Sequence, residues 1–369
     1  MNYKNTLLFV ADVLSLAQQP NKLLEIELQL SGGDVQWDKV LKVSSEHLVL
    51  PAICIQLELA KLMDLLPLDL QEYLQHITHL NRIRNQHNLE QVKELNNLLN
   101  SHNISPIYLK GTAHLLEGLY SDIGERMIGD IDLLVAPELM EQAADLLEEL
   151  GYSPMSEYSS EDFVRTKHYP RMIHKEKVFA VEIHKDVIQK VSQRQLDYKC
   201  IVKTKRMVNG YYLPSYSNLI LHNIMNTQLN DNGLILSSIN LRQQYDFLLL
   251  AQIESPIIAI KNFNYHKLTL KSYLVKSAFI FGESPQMRYP KSIWTLWVES
   301  LIALKLRFPK QLKVLTQLSF IIWRILRDVR LAIEYLPNKN KRSRIVKYIV
   351  NPRCRTTYFK QFSERLKSL

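Results

Sequence analysis

Two hydrophobic periods share this chain, and they divide it into three parts. The first stretch repeats its apolar residues at helical spacing. Leu23, Leu24, Ile26, Leu28 and Leu30 run into Ser31-Gly32-Gly33, which breaks the pattern. Trp37, Val40, Leu41 and Val43 resume it, and Pro51 and Pro67 punctuate further short helices. Gln71 to Asn100 is polar and free of glycine and proline, so it reads as one extended helix closed by His102-Asn103. The period then changes. We expect a strand over 104–109, a helix over 112–120 and a strand over 130–135. A helix from Pro137 to Leu150 follows, with Pro137 in its first turn, Glu138 near its positive end and Gly151-Tyr152 as its stop. The polar stretch Ser153–Lys177, with Arg165, Lys167, His168, Arg171 and His174, reads either as a mobile loop or as a hairpin over a site. A strand over 178–187 comes next. Helical spacing returns at Asn218–Asn230, which holds His222, and at Leu241–Gln252, where Arg242 and Asp246 stand four apart on one face. The expected fold is therefore α+β: a helical region 1–103, a mixed-sheet core 104–215 and a helical region 216–369.

The chemistry concentrates at the second of these strands. Asp130-Ile131-Asp132 puts two carboxylates on one face, because side chains at i and i+2 of a strand point the same way. Ile131 and Leu133 then face the core. Like charges side by side in a dry sheet repel. A divalent cation removes that repulsion, and Mg²⁺ is the ordinary choice for a site of one or two carboxylates. Upstream, Leu109-Lys110-Gly111-Thr112 reads as a strand end, a glycine turn and a hydroxyl residue opening a helix. Free backbone N–H groups at such a place suit a phosphate chain.

These residues resemble the nucleotidyltransferase superfamily, the DNA polymerase β-like fold. Its pattern is an apolar strand, Gly-Gly or Gly-Ser, a helix, Asp-x-Asp on the next strand and a third carboxylate on a later one. Gly111-Thr112 departs from Gly-Ser but keeps the hydroxyl, and Glu182 in Val178–His184 matches the third carboxylate. The nearer likeness is to the uncharacterised bacterial nucleotidyltransferases: Leu109-Lys110-Gly111, Arg126, Asp130-Ile131-Asp132 and Val181-Glu182-Ile183-His184 occur here in their order. The resemblance implies catalytic and metal-holding Asp130, Asp132 and Glu182, two Mg²⁺ ions and a nucleoside triphosphate (NTP) substrate. Lys110, Gly111, Thr112, Arg126 and His184 would contact the nucleotide. Lys110 or Arg126 would neutralise the leaving pyrophosphate, or Arg126 would instead buttress the aspartates. The implied acceptor is a hydroxyl, on a sugar or polysaccharide precursor. Modification of tRNA or protein by a toxin- or antitoxin-type enzyme is the alternative, and a non-catalytic nucleotide-binding module is the third reading.

Composition narrows the setting. Hydrophobic residues make up 46% of the chain, enough for a proper core. Three cysteines, Cys54, Cys200 and Cys354, lie far apart, which excludes a disulfide framework or cysteine zinc site and suits a reducing, cytoplasmic compartment. The run Leu7–Ala17 is interrupted by Asp12 and reads as an amphipathic helix, and no stretch reaches the roughly 18 apolar residues of a membrane span. The net charge of +9 is uneven: residues 301–369 hold 17 Lys and Arg against 3 Asp and Glu, so the rest of the chain is mildly acidic. Such a tail suggests a polyanion, either RNA or an anionic membrane surface, with the protein then peripheral to the inner membrane face. The apolar helix around Phe320–Arg330, with Arg324, Arg327 and Arg330, reads either as an interfacial helix or as core with a basic outer edge.

Overall fold

The computed structural model describes residues 1–155, 167–188, 196–231, 233, 238–284, 287–335 and 356. Its centre is a mixed seven-stranded sheet, ordered β3-β4-β5-β2-β1-β7-β6. The strands are β1 (Ile107–Tyr108), β2 (Asp130–Leu134), β3 (Ser153–Pro154), β4 (Met172–Ile173), β5 (Ala180–His184), β6 (Arg206–Val208) and β7 (Tyr211–Leu213). β1 runs antiparallel to β2, while β2–β5 and β1–β7 are parallel pairs. The α+β class expected from the sequence is the fold observed.

Helices surround this sheet. Before it come α1 (Tyr3–Leu14), α2 (Leu23–Ser31), α3 (Trp37–Glu46), α4 (Leu50–Leu59) and α5 (Leu68–Ser101). Within it lie α6 (Lys110–Glu117), α7 (Met140–Glu149) and α8 (Tyr198–Thr204). After it come α9 (Tyr216–Met225), α10 (Leu241–Ile253), α11 (Pro256–Asn262), α12 (Lys267–Phe281), α13 (Ile293–Arg307) and α14 (Pro309–Tyr335). One buried apolar cluster runs through all three stretches, from Leu7 through the sheet to Leu306.

Several expected elements shift for local reasons. The strand expected over 104–109 pairs only at Ile107 and Tyr108, since Pro106 has no N–H to offer the ladder. The strand expected over 178–187 is regular only at Ala180–His184. The helix expected to begin at Thr112 begins at Lys110 and stops at Gly118, whose φ of +71° closes it in the left-handed conformation. The polar stretch after Gly151 does contribute strands, β3 and β4, which pair antiparallel; Arg165 lies outside the described residues. The β6–β7 hairpin was not expected. Its Asn209-Gly210 turn, with φ of +49° and +85°, carries the strongest short hairpin signal a sequence offers.

α5 spans 34 residues, about 50 Å at 1.5 Å per residue. Its buried stripe is apolar at both ends, through Leu70, Leu74, Leu95 and Leu99, and polar in the middle. There Asn81 donates to the Gly124 and Arg126 carbonyls at 2.6 and 3.1 Å, and Asn85 to the Ile123 and Arg126 carbonyls at 2.6 and 2.8 Å. Arg82 forms a forked pair with Asp122. Gln91 donates to the Phe179 carbonyl at 2.7 Å and accepts from its N–H at 3.3 Å. The stretch between α6 and β2 has no ladder of its own, so its carbonyls must be satisfied by side chains. The middle of α5 does this, and so fixes the approaches to both β2 and β5.

No described helix is long and apolar enough to cross a membrane. Phe320 of α14 is buried, but Leu318, Ile322, Ile325, Leu326, Val329 and Ile333 are exposed among the described residues.

Candidate active site

The site is set by the register of two strands. In the parallel β2–β5 pair, Asp130 lies opposite Ala180, Asp132 opposite Glu182 and Leu134 opposite His184. Alternation buries Ile131, Leu133, Val181 and Ile183 on one face. Asp130, Asp132, Glu182 and His184 share the other. Ligand atoms of Asp132, Glu182 and His184 all lie within 4.8 Å of one another, a spacing that suits one metal ion. His184 donates from Nε2 to Asp132 Oδ1 at 2.8 Å and lies 3.4 Å from Glu182 Oε2. Asp130 stands one step along the strand, 3.7 Å from Arg171, and is not part of the tight cluster.

Lys110 is the cation between these carboxylates. Its Nζ binds Asp132 Oδ1 and lies 3.8 Å from Glu182 Oε2. Burial opposes its charge, yet Asp132 and Glu182 raise its pKa. Burial alone would raise Asp132, but Lys110 and the His184 hydrogen bond hold it well below the usual carboxylate range. Glu182 is also lowered, with the His184 hydrogen bond outweighing burial. Asp130 goes the other way: burial, Asp132 and Glu182 push it up to about 6. Neighbouring carboxylates held at such different proton affinities are a frequent mark of a functional site.

The glycine turn expected at Gly111 is not where the chain bends. Lys110 carries the left-handed backbone, with φ of +50°, and Gly111 sits inside the first turn of α6. Non-glycine residues hold such a conformation at a cost of about 1–3 kcal/mol, most often at functional sites. Glycine is needed at 111 for a different reason: a Cβ there would meet Arg126 Nη1 at 3.1 Å and Ile128 Cγ1 at 3.2 Å. Thr112 is buried and its hydroxyl points back to the Asp130 carbonyl at 3.5 Å, away from the position expected for a phosphate contact.

Arg126 reaches neither metal-side aspartate. It forms a forked pair with Asp246 of α10, Nε at 3.0 and 3.2 Å and Nη2 at 2.7 Å. Tyr120 donates to the same carboxylate at 2.7 Å. Asp246 therefore pairs across the molecule and not with Arg242, four residues before it. Nearby His114 is pushed down to about 4 by burial and by Arg126.

These groups surround a cavity of about 400 Å³ between the sheet face and the helices α9 and α10. Lys110, Gly111, Arg126, Asp130 and Asp132 line it from the core, with Arg171 beside them. His222, Asn223, Arg242 and Asp246 line it from the helices. Glu182 and His184 meet it only through Asp132. Sequence spacing named His222 and Arg242 without showing what they face; their shared wall arises from the packing of α9 against α10.

An α+β sheet with clustered carboxylates on adjacent parallel strands, beside a helix N-terminus and a polar cavity, defines a nucleotidyltransferase, a transferase of phosphorus-containing groups. Residues 33–264 match the uncharacterised nucleotidyltransferase family, and the chain belongs to it. No curated protein and no solved structure matches the chain.

Proposed function

We propose that this enzyme moves an NMP group from an NTP to an acceptor hydroxyl on a sugar or polysaccharide precursor, with Mg²⁺ bound at Asp130, Asp132 and Glu182. The observation that carries this reading is the β2–β5 register, which brings Asp132 and Glu182 together beside Asp130 at the edge of the cavity. The donor set fits the ion: ionised carboxylate oxygens on one face, two of them held well below their ordinary proton affinity. When bound, Mg²⁺ would offset phosphate charge and make an acceptor hydroxyl more acidic.

The remaining work falls to side chains. His184 fixes the orientation of Asp132 through its 2.8 Å hydrogen bond, as a partner of a metal-binding carboxylate does. Lys110, already the counter-ion of the cluster, is placed to neutralise phosphate oxygens. The first N–H groups of α6 have no intrahelical partner and present the positive end of that helix. Transfer of this kind needs positioning and charge neutralisation more than covalent chemistry. The test is a mass-spectrometric screen for NMP adducts on cell extract, using each of the four NTPs. Wild-type enzyme should form an adduct that needs Mg²⁺, and Asp130→Asn/Asp132→Asn should lower the rate by about 10³-fold or more. Equal adduct formation by both proteins overturns the reading.

Contact with a polyanion is a second reading. The charge of residues 301–369 and the exposed apolar residues of α14 favour it. Truncation after Tyr335 should weaken binding to RNA or anionic vesicles at low salt, and NTP affinity should stay the same. Unchanged binding to both removes it.

A further inference from the structure

The cavity holds a cation that its carboxylates do not take up. Lys110 pairs with Asp132, Arg126 with Asp246 and Arg171 with Asp130. Arg242 lies on the same wall, yet no carboxylate among the described residues comes within 4 Å of it. Its guanidinium makes one bond, from Nη1 to the Met127 carbonyl at 2.9 Å, and its Nε is buried with no partner. Facing it from α9 is His222, 4% exposed, whose Nε2 is also buried without a partner.

Each buried polar group left unpaired costs about 1–3 kcal/mol, so such groups are rare unless something completes them. Here two occur on one wall of one cavity, on helices that are packed together. Asn223 donates to the Gln243 carbonyl at 3.1 Å, and Tyr273 braces Asn223 at 2.8 Å, so the wall is rigid. Burial and the neighbouring Arg126 pull the proton affinity of Arg242 down to about 10, which marks a locally positive field. Burial, Lys110 and Lys167 keep His222 well below its usual value, so it is a neutral hydrogen-bonding group.

We propose that Arg242 and His222 form a phosphate receptor on the helical wall of the cavity, distinct from the carboxylate face. A planar guanidinium with an unused Nε–H matches two phosphate oxygens at once. The adjoining amides of Asn223, Asn226 and Gln243 suit a ligand with several acceptor oxygens. The phosphate has two sources if the nucleotidyl-transfer reading holds, and the sources rest on that reading: the terminal phosphates of the NTP, or a phosphate carried by the acceptor.

The test measures binding of inorganic pyrophosphate to the full chain in EDTA by calorimetry. Wild type should bind, and Arg242→Gln should bind roughly 10- to 100-fold more weakly, as expected for loss of a charged hydrogen-bonding group. Arg242→Lys keeps the charge, loses the fork and should fall in between. Should Arg242→Gln fold poorly, the wild-type protein still reports: the ring-proton resonances of His222 should shift on adding pyrophosphate. Unchanged affinity in Arg242→Gln, or unmoved His222 resonances in wild type, overturns the proposal. Displacement of pyrophosphate by a non-hydrolysable NTP assigns the receptor to the donor, and simultaneous binding assigns it to the acceptor. The two readings fail separately. Pyrophosphate bound through Arg242 without any NMP adduct removes nucleotidyl transfer and keeps the receptor. Adduct formation with pyrophosphate affinity unchanged in Arg242→Gln removes the receptor alone.

Discussion

Asp246→Asn tests whether the helical region is locked to the sheet core by charge. Asp246 is 1% exposed and Arg126 8%, and three N–O contacts of 2.7–3.2 Å join them. Both ions have lost water, so the pair is worth little beyond its own desolvation while intact. Removing one partner is costly, because the other charge stays buried. Asparagine keeps the shape of Asp246 and its bond with Tyr120 but leaves the guanidinium without an anion, close to Arg242. The expected loss is about 3–5 kcal/mol, a drop in melting temperature on the order of 10 °C. Arg126→Met/Asp246→Leu, which removes both charges, should recover most of it. Urea melts of wild type, both single variants and the double variant give the coupling directly. The pH dependence has a fixed sign. Burial would raise Asp246, but Arg126 and His114 hold it below its ordinary value. Its contribution is therefore present above the unfolded value of about 4 and lost as pH falls below it, and Asp246→Asn should lack this acid-sensitive component. A loss under about 1 kcal/mol in Asp246→Asn, or a double variant weaker than the sum of the singles, refutes the argument.

Gly111→Ala should push the Arg126 guanidinium off its 3.1 Å approach and lower stability by about 1–3 kcal/mol, read by thermal melt, with a smaller effect once Arg126 is already Met. Asn85→Ala orphans two carbonyls of the segment before β2 and should cost about 1–3 kcal/mol; if the segment is held elsewhere, hydrogen exchange at residues 121–128 will be unchanged. Asp130, raised to about 6, keeps its proton longer in the folded chain than in the unfolded one. Its contribution to stability is present below about pH 4 and lost as pH rises through about 6, a slope that Asp130→Asn should flatten. Protons compete with the ion at the same carboxyl, so Mg²⁺ affinity measured by calorimetry should weaken about tenfold per pH unit below about 6 and be level above it.

The strands that carry the chemistry were legible because each has two cues in agreement. β2 and β5 alternate at a period of two and place their acidic residues on the polar positions, so Asp130, Asp132, Glu182 and His184 follow from local pattern. The turn at Lys110 was misread because glycine is the usual bearer of positive φ, and Gly111 is adjacent. Only the proximity of Arg126 and Ile128 shows why glycine stands one place later. Arg126 was assigned to the phosphates or the aspartates because its partner lies 120 residues away, and no spacing rule reaches that far. The polar ladder of α5 has a regular spacing that the sequence does show, through Asn81, Asn85, Asn88 and Gln91. On a helix, such residues read as a solvated face until the carbonyls they satisfy are in place.

The parallel pairing of β2 with β5 has a consequence for how the protein is made. Asp132 leaves the ribosome 50 residues ahead of Glu182, its neighbour in the ladder. At 5–20 residues per second, the growing chain carries an incomplete acidic strand for roughly 3–10 seconds. The helix that will hold the approaches to both strands, α5, has by then already emerged. It can wait as a template, but the edge of β2 stays open until residue 184 has been added. During that interval the chain is most exposed to strand pairing with a second nascent copy, and slowing translation after Leu134 should raise the yield of aggregated protein.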